Sequence, residues 1–242
     1  MPTIANLILL RHGESTWNQG NRFTGWADVD LTEAGMQQVL DAATALRDAG
    51  LEFDVAYTSV LKRCIRSQWL LLDALNCMWV PQILDLRLNE RHYGALTGQL
   101  KSEAIHVYGA AAVRRWRRSY EAVPPAMDAS AAAHVTIDRR YAALASHQLP
   151  CAESLHDVVI RVASVWRDAM APALRSGRRV LVTGHGNGLR ALVKIIEGLS
   201  DEAVATLEVG NSAPIAYALD EALKPRDKWV LPVPPRSISE IL

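Results

Sequence analysis

The chain has no surplus of charge: 26 Lys and Arg balance 26 Asp and Glu among 242 residues. A balanced chain lacks the long-range field that general nucleic-acid and membrane-surface binders use, so any anion site must come from local clustering. Long apolar runs are missing too. No stretch approaches the ~18 residues that would suggest a bilayer span. The start, Met1-Pro2-Thr3-Ile4-Ala5-Asn6, lacks the basic n-region of a secretory signal. Cysteine is scarce. Cys64, Cys77 and Cys151 lie far apart and form no C-x-x-C pair. They read as small buried thiols in a reducing cytosol, not as metal ligands or a disulfide framework. These absences lead us to expect a cytoplasmic protein with small-molecule partners and no nucleic acid, membrane or metal. Half of the residues are hydrophobic, enough for a sizeable core.

What is present begins with Leu7-Ile8-Leu9-Leu10-Arg11-His12-Gly13-Glu14, an apolar run that ends in an Arg-His pair and a glycine turn. The run reads as a buried strand, and its carboxyl end is where open α/β sheets bind ligands. The arrangement recurs in Val180-Leu181-Val182-Thr183-Gly184-His185-Gly186-Asn187. Two such strands can grip one reacting group between their histidines. Between them the chain alternates helix and strand signals. Thr32 caps a helix that Gly50 stops, Val55–Thr58 is a short strand, and Ser59 is placed to cap a helix running to about Leu75. Trp79–Ile83 reads as a third strand. Ser154 and Asp157 resemble a capping box that opens a helix ended by Gly177. Strands near Ile215–Leu219 and Trp229–Leu231 close the series. This predicts a single α/β domain over 1–242: a three-layer sandwich with a largely parallel central sheet and helices on both faces. Residues 85–150 read as a helical and loop excursion covering the site, and 232–242 as a C-terminal tail.

Phosphoryl transfer through histidine needs a neutral attacking nitrogen, with the other ring nitrogen held as a donor. His12 in a tight glycine turn suits this role. Charge on the transferring group spreads over its oxygens and calls for cations and N–H donors around it. Arg11, Arg63, His185 and the amides near Gly186 and Asn187 are the candidates. Arginine suits because its planar fork bonds two oxygens at once. Transfer to or from a hydroxyl also needs a proton shuttle. Glu90 in Leu88-Asn89-Glu90-Arg91-His92-Tyr93-Gly94 is placed for it, since a neighbouring bound phosphate would raise a carboxyl's pKa. Taken singly, each has a plainer reading. A histidine after a strand is more often structural, Arg63 a solvated helix residue and Glu90 a surface carboxylate. Arg114-Arg115-Trp116-Arg117-Arg118 could be an exposed helix face, and the neutral overall charge weakens its reading as a nucleic-acid patch. The joint occurrence of these parts favours the chemical reading.

Several stretches resemble the histidine phosphatase superfamily, and within it the cofactor-dependent phosphoglycerate mutases. They include Arg11-His12-Gly13-Glu14-Ser15-Thr16-Trp17-Asn18, Arg22-Phe23-Thr24-Gly25-Trp26, Ala56-Tyr57-Thr58-Ser59-Val60-Leu61-Lys62-Arg63, Leu88–Gly94, Trp116-Arg117-Arg118 and His185-Gly186-Asn187-Gly188-Leu189-Arg190. The resemblance implies that His12 becomes phosphorylated, with His185, Arg11 and Arg63 stabilising the moving group and Glu90 acting as general acid and base. It implies phosphate contacts from Asn18, Thr24, Gly25 and Gly186. Arg91, Tyr93, Lys101, Arg117, Arg118 and Asn187 would hold the carboxylate and second phosphate of the substrate. The implied reaction interconverts 3-phosphoglycerate and 2-phosphoglycerate, primed by 2,3-bisphosphoglycerate as phosphoryl donor and needing no metal. A phosphatase acting on bisphosphoglycerate or another small phosphoester by the same chemistry is the alternative. The resemblance also implies a homo-oligomer, dimer or tetramer, for which the edge near Trp69 and Trp79 could serve.

The chain departs from the mutase pattern in four places. Leu100 stands where Asn is usual, and Ala152 where Thr is usual. Gly210-Asn211-Ser212-Ala213-Pro214 replaces a stretch that usually reads Pro-Thr-Gly before the proline, near the expected floor of the site. The tail Pro232-Val233-Pro234-Pro235-Arg236-Ser237 onward is short and proline-rich, where a longer tail usually closes over the site. A poorer lid admits water and favours hydrolysis.

Overall fold

The computed structural model describes residues 6–128, 138–145 and 148–233. Six strands form one sheet: β1 (Leu7–Arg11), β2 (Val55–Thr58), β3 (Gln82–Leu84), β4 (Val180–Gly184), β5 (Ile215–Leu219) and β6 (Pro225–Val230). Their order is β3-β2-β4-β1-β5-β6. The first four run parallel, and β5 runs antiparallel to both its neighbours. β1 and β4 lie side by side with Arg11 opposite Gly184. The two strand ends that carry the histidines therefore meet at one sheet edge.

The alternating residues of the buried strands feed two cores. Ile8, Leu10, Ala56 and Leu181 face one way, against α2 (Glu33–Asp48) and α3 (Lys62–Ala74). Leu7, Leu9, Tyr57 and Val182 face the other way. There they meet α6 (Leu155–Val165), α7 (Ala171–Arg175) and α8 (Gly186–Glu197). The result is the expected three-layer sandwich with a mostly parallel sheet. Short helices complete it: α1 (Thr16–Gln19), α4 (Lys101–Tyr108), α5 (Ala110–Arg118) and α9 (Asp201–Thr206). A third small core of Phe23, Leu96, Ala104 and Val113 seats α4 and α5.

Local chemistry explains most element ends. Thr32 caps α2 by accepting from Gly35 N at 2.9 Å. Ser154 and Asp157 form the capping box that opens α6. The helix then passes through a π-helical turn at Trp166–Met170 before α7. Some expectations shift. Ser59 does not cap α3, whose N-cap is Leu61 with no side-chain bond. The Ser59 hydroxyl is drawn instead to a tertiary partner, His185. The third strand is Gln82–Leu84, because Cys77 to Val80 closes a turn first. The last strand starts at Pro225, earlier than Trp229, through pairing with β5. Most of the tail, 234–242, and the alanine-rich stretch at 129–137 lie outside the described residues.

Candidate active site

A cavity of about 230 Å³ opens where β1 and β4 end. It is lined at its inner end by Arg11, His12, Asn18, Thr24, Gly25, Arg63, Glu90, Gly186 and Asn187, and towards the mouth by Tyr93, Lys101, Arg117 and Arg118. Thirteen of the fifteen residues singled out from the sequence therefore share one space. The other two, His185 and Arg91, are buried behind it.

His12 follows β1, with its amide bonded to Gly184 O at 3.0 Å. Its Nδ1 lies 2.7 Å from Gly13 O. A carbonyl can only accept, so Nδ1 carries the proton and Nε2 is left with a free lone pair. Burial, followed by the charges of Arg63 and Arg11, holds the His12 pKa well below the usual imidazole value. The ring is therefore neutral at pH 7, as a nucleophile requires. The turn depends on glycine. A Cβ on Gly13 would sit 2.0 Å from Gly35 O, and one on Gly35 would sit 2.0 Å from Glu14 O. Two backbones touch here, and no side chain fits between them.

His185 packs edge-on to His12, with ring centroids 5.1 Å apart and planes at 66°. Its Nε2 pairs with Ser59 Oγ at 2.8 Å and lies 3.3 Å from Cys64 Sγ. Burial, then the charge of Arg63, lowers its pKa well below normal as well. Burial pushes the Cys64 thiol up to about 12, so this sulfur is neutral and inert.

The guanidinium of Arg63 is fixed by backbone: Nη1 donates to Ala27 O at 2.8 Å and Nη2 to Gly25 O at 2.9 Å. Arg11 Nη1 donates to Val209 O at 2.8 Å, while its buried Nε has no partner. Buried donors without acceptors are costly, and an anion in the cavity would satisfy this one. Gly186 and Asn187 open α8, whose N-terminus adds partial positive charge. Glu90 is oriented from the same turn. Its Oε1 accepts from Arg91 N at 2.7 Å, Asn187 Nδ2 at 2.9 Å and Asn187 N at 3.2 Å.

The loop carrying Glu90 is held from below. Arg161 donates to the carbonyls of Arg87 and Asn89, both at 2.8 Å, and of Glu90 at 3.0 Å. Its charge is balanced by Glu153 at 2.7 Å, and Glu153 also accepts from His92 N at 2.8 Å. Trp26 Nε1 donates to Glu90 O at 2.6 Å.

At the mouth, Lys101 Nζ donates to Asn21 Oδ1 at 2.9 Å. Burial, then the charge of Arg117, lowers the Lys101 pKa. Arg91 is buried with its guanidinium 4.6 Å over the Tyr93 ring and its three nitrogens unpartnered. It does not itself line the cavity. Leu100 serves as N-cap of α4, its amide donating to Glu103 Oε2 at 3.2 Å. Ala152 sits beside Gly94. The altered Asn211-Ser212 stretch does lie at the site: Asn211 Nδ2 donates to His12 O at 2.8 Å, and Ser212 N donates to Arg11 O at 3.0 Å.

Several lining residues carry no signal in the reading of motifs. Arg190 lines the cavity and donates to Asn187 Oδ1 at 2.9 Å. Burial, then the charge of Arg91, brings its pKa down to about 10. Its position one helical turn after Asn187 could have disclosed it. Arg22, Glu208 and Val209 come from loops, and nothing local marks them.

A neutral histidine with its tautomer fixed, a second histidine against it and guanidiniums set by backbone make a site that suits an anionic group. The sequence pattern of the histidine phosphatase superfamily, branch 1, matches residues 7–136 and 128–222. The chain belongs to that superfamily. Solved structures agree on the fold. A mycobacterial glucosyl-3-phosphoglycerate phosphatase in complex with VO3 is 23% identical, covering 88% of this chain and 92% of that one with a TM-score of 0.66. A putative alpha-ribazole-5'-P phosphatase from Escherichia coli is 20% identical, covering 97% and 98% with a TM-score of 0.67. An alpha-ribazole phosphatase from Shigella flexneri is 20% identical, covering 94% of each chain with a TM-score of 0.64.

Proposed function

We propose that this chain moves the phosphoryl group of small phosphoglycerates through a phosphohistidine on His12, with 2,3-bisphosphoglycerate as the priming donor. The observation that carries the reading is the neutral His12 with free Nε2, set against His185 and faced by Arg11 and Arg63. In this reading Nε2 attacks phosphorus in line, the arginines take up charge on the equatorial oxygens, and Glu90 gives its proton to the leaving oxygen. The next acceptor returns that proton to Glu90 as it attacks the phosphohistidine. A cavity of about 230 Å³ is below the ~300–1,000 Å³ typical of drug-sized ligands and suits a three-carbon substrate. Lys101, Arg117 and Arg118 at the mouth supply charge for a second anionic group.

Two acceptors compete for the phosphoryl group. A monophosphoglycerate held by the basic mouth makes the protein a mutase. Water makes it a phosphatase. The three solved structures compared above are named as phosphatases and favour water; the mutase-like motifs and the basic mouth favour the held acceptor. The deciding experiment labels the enzyme with radioactive 2,3-bisphosphoglycerate and follows release with and without 3-phosphoglycerate. Label passing mainly to phosphoglycerate supports the mutase reading. Inorganic phosphate release that added acceptor fails to suppress supports hydrolysis. No base-stable label on the wild type, or undiminished label on His12→Asn, rejects both. We further propose that the protein pairs with a second copy through the β3 edge, where Trp69 and Trp79 are 53% and 76% exposed. Among the described residues no helix is long and apolar enough to cross a membrane.

A further inference from the structure

Among the described residues, seven arginine and lysine side chains line the cavity but only two carboxylates, Glu90 and Glu208. Glu90 is held by Asn187 and has a role in the chemistry proposed above. Glu208 has none. It lies between α9 and β5, on the opposite side of the mouth from α5, and its Oε1 accepts from Arg118 Nη2. This exposed ion pair joins the helix that carries the basic cluster to the loop beyond α9. Both residues of the pair also line an adjoining cleft, with Ile105, Val113 and Thr206. The charges acting on His12 are those of Arg63 and Arg11, whereas Arg118 acts on Arg190 and Glu208.

We propose that Glu208 is a specificity residue: a tethered carboxylate that occupies Arg118 until the second anionic group of a ligand displaces it. A ligand with a single phosphate at His12 leaves the pair intact. A ligand with a second anion must break it, and must overcome repulsion from the freed carboxylate. Glu208 therefore tunes affinity for the second group without touching the reacting one. The inference rests on the phosphoester reading for the identity of the ligand.

The test is calorimetric titration of wild type and Glu208→Gln with 3-phosphoglycerate, which carries a phosphate and a carboxylate, and with orthophosphate. Glu208→Gln is expected to bind 3-phosphoglycerate about three- to fivefold more tightly, the scale an exposed ion pair supports, and orthophosphate equally. The gain should shrink as salt is raised. In an Arg118→Gln background the same change should bring no gain, because the contact is already gone. Equal binding of 3-phosphoglycerate by the two proteins, undetectable binding included, or equal tightening of both ligands overturns the proposal. Labelling of His12 by bisphosphoglycerate separates the two readings. A gain in affinity without labelling keeps the selector and sinks the phosphohistidine mechanism. Normal labelling without a gain does the reverse.

Discussion

The chemistry of single residues here is set by what surrounds them more than by what they are. His12 and His185 are ordinary imidazoles made non-basic by burial and by neighbouring arginines. His92, buried under Trp26, is lowered by burial as well. Such groups link pH to stability. The unfolded chain takes up protons as pH falls through about 6.5, while the folded chain does not, so stability drops in acid. Between pH 6.5 and 5 the unfolding free energy should fall by up to ~1.4 kcal/mol per pH unit for each buried histidine. Urea denaturation across that window measures the slope, and His12→Gln should reduce it. A flat profile would mean that these rings are protonated in the fold. Ser212 is a second case. It adopts φ of 49°, and its backbone N–H holds Arg11 O. A left-handed non-glycine residue is accepted there because it completes the floor under the nucleophile's neighbour.

At the scale of elements, the site is assembled by strand ends and one clasped loop. β1 and β4 deliver their histidines because parallel pairing aligns their carboxyl ends. The loop carrying Glu90 has little regular structure and depends on the largely buried pair of Arg161, within α6, and Glu153, just before it. Breaking a buried pair leaves one charge uncompensated, at a cost of ~3–5 kcal/mol. Arg161→Met is therefore expected to destabilise the fold by about 3 kcal/mol and to lower transfer from phosphohistidine to acceptor, the step that uses Glu90. Denaturation and single-turnover transfer kinetics check the two effects. Unchanged stability together with unchanged transfer would show that the clasp is dispensable. The Ser154–Asp157 box that opens α6 was readable from spacing. The clasp was not, because Arg161 reaches a segment more than seventy residues away in the chain.

On the scale of the whole molecule, the sheet has two unlike borders. β6 ends one side with a polar strand, and β3 ends the other with Ile83 and Leu84 exposed, as are Trp69 on α3 and Trp79 in the turn before β3. An unpaired apolar edge is a template for another strand, and a two-fold axis makes such an edge complementary to itself. Trp79→Glu should therefore shift the protein from dimer to monomer in sedimentation equilibrium while leaving phosphohistidine formation intact. A wild type that sediments as a monomer at micromolar concentration would overturn this assignment. The basic mouth belongs to this scale as well. Lys101, Arg117 and Arg118 come from α4 and α5, and Arg190 from α8. Only the fold brings them round one opening.

The sequence by itself determined the layered α/β plan, the two strand-and-histidine ends, the caps of α2 and α6, and most of the residues that gather round the His12 cavity. These rest on periodicity, on capping and on residue types whose chemistry is short-range. Tertiary structure alone decided that the Ser59 hydroxyl pairs with His185, that Arg91 lies buried against Tyr93 and not in the open, and that Glu208 meets Arg118 at the mouth. The physical reason is one of reach. A hydroxyl or a carboxylate takes a partner that the fold leaves within about 3 Å, and the Arg91 guanidinium takes the ring packed against it; these neighbours are set by packing between segments or by depth in the fold, which no local pattern records.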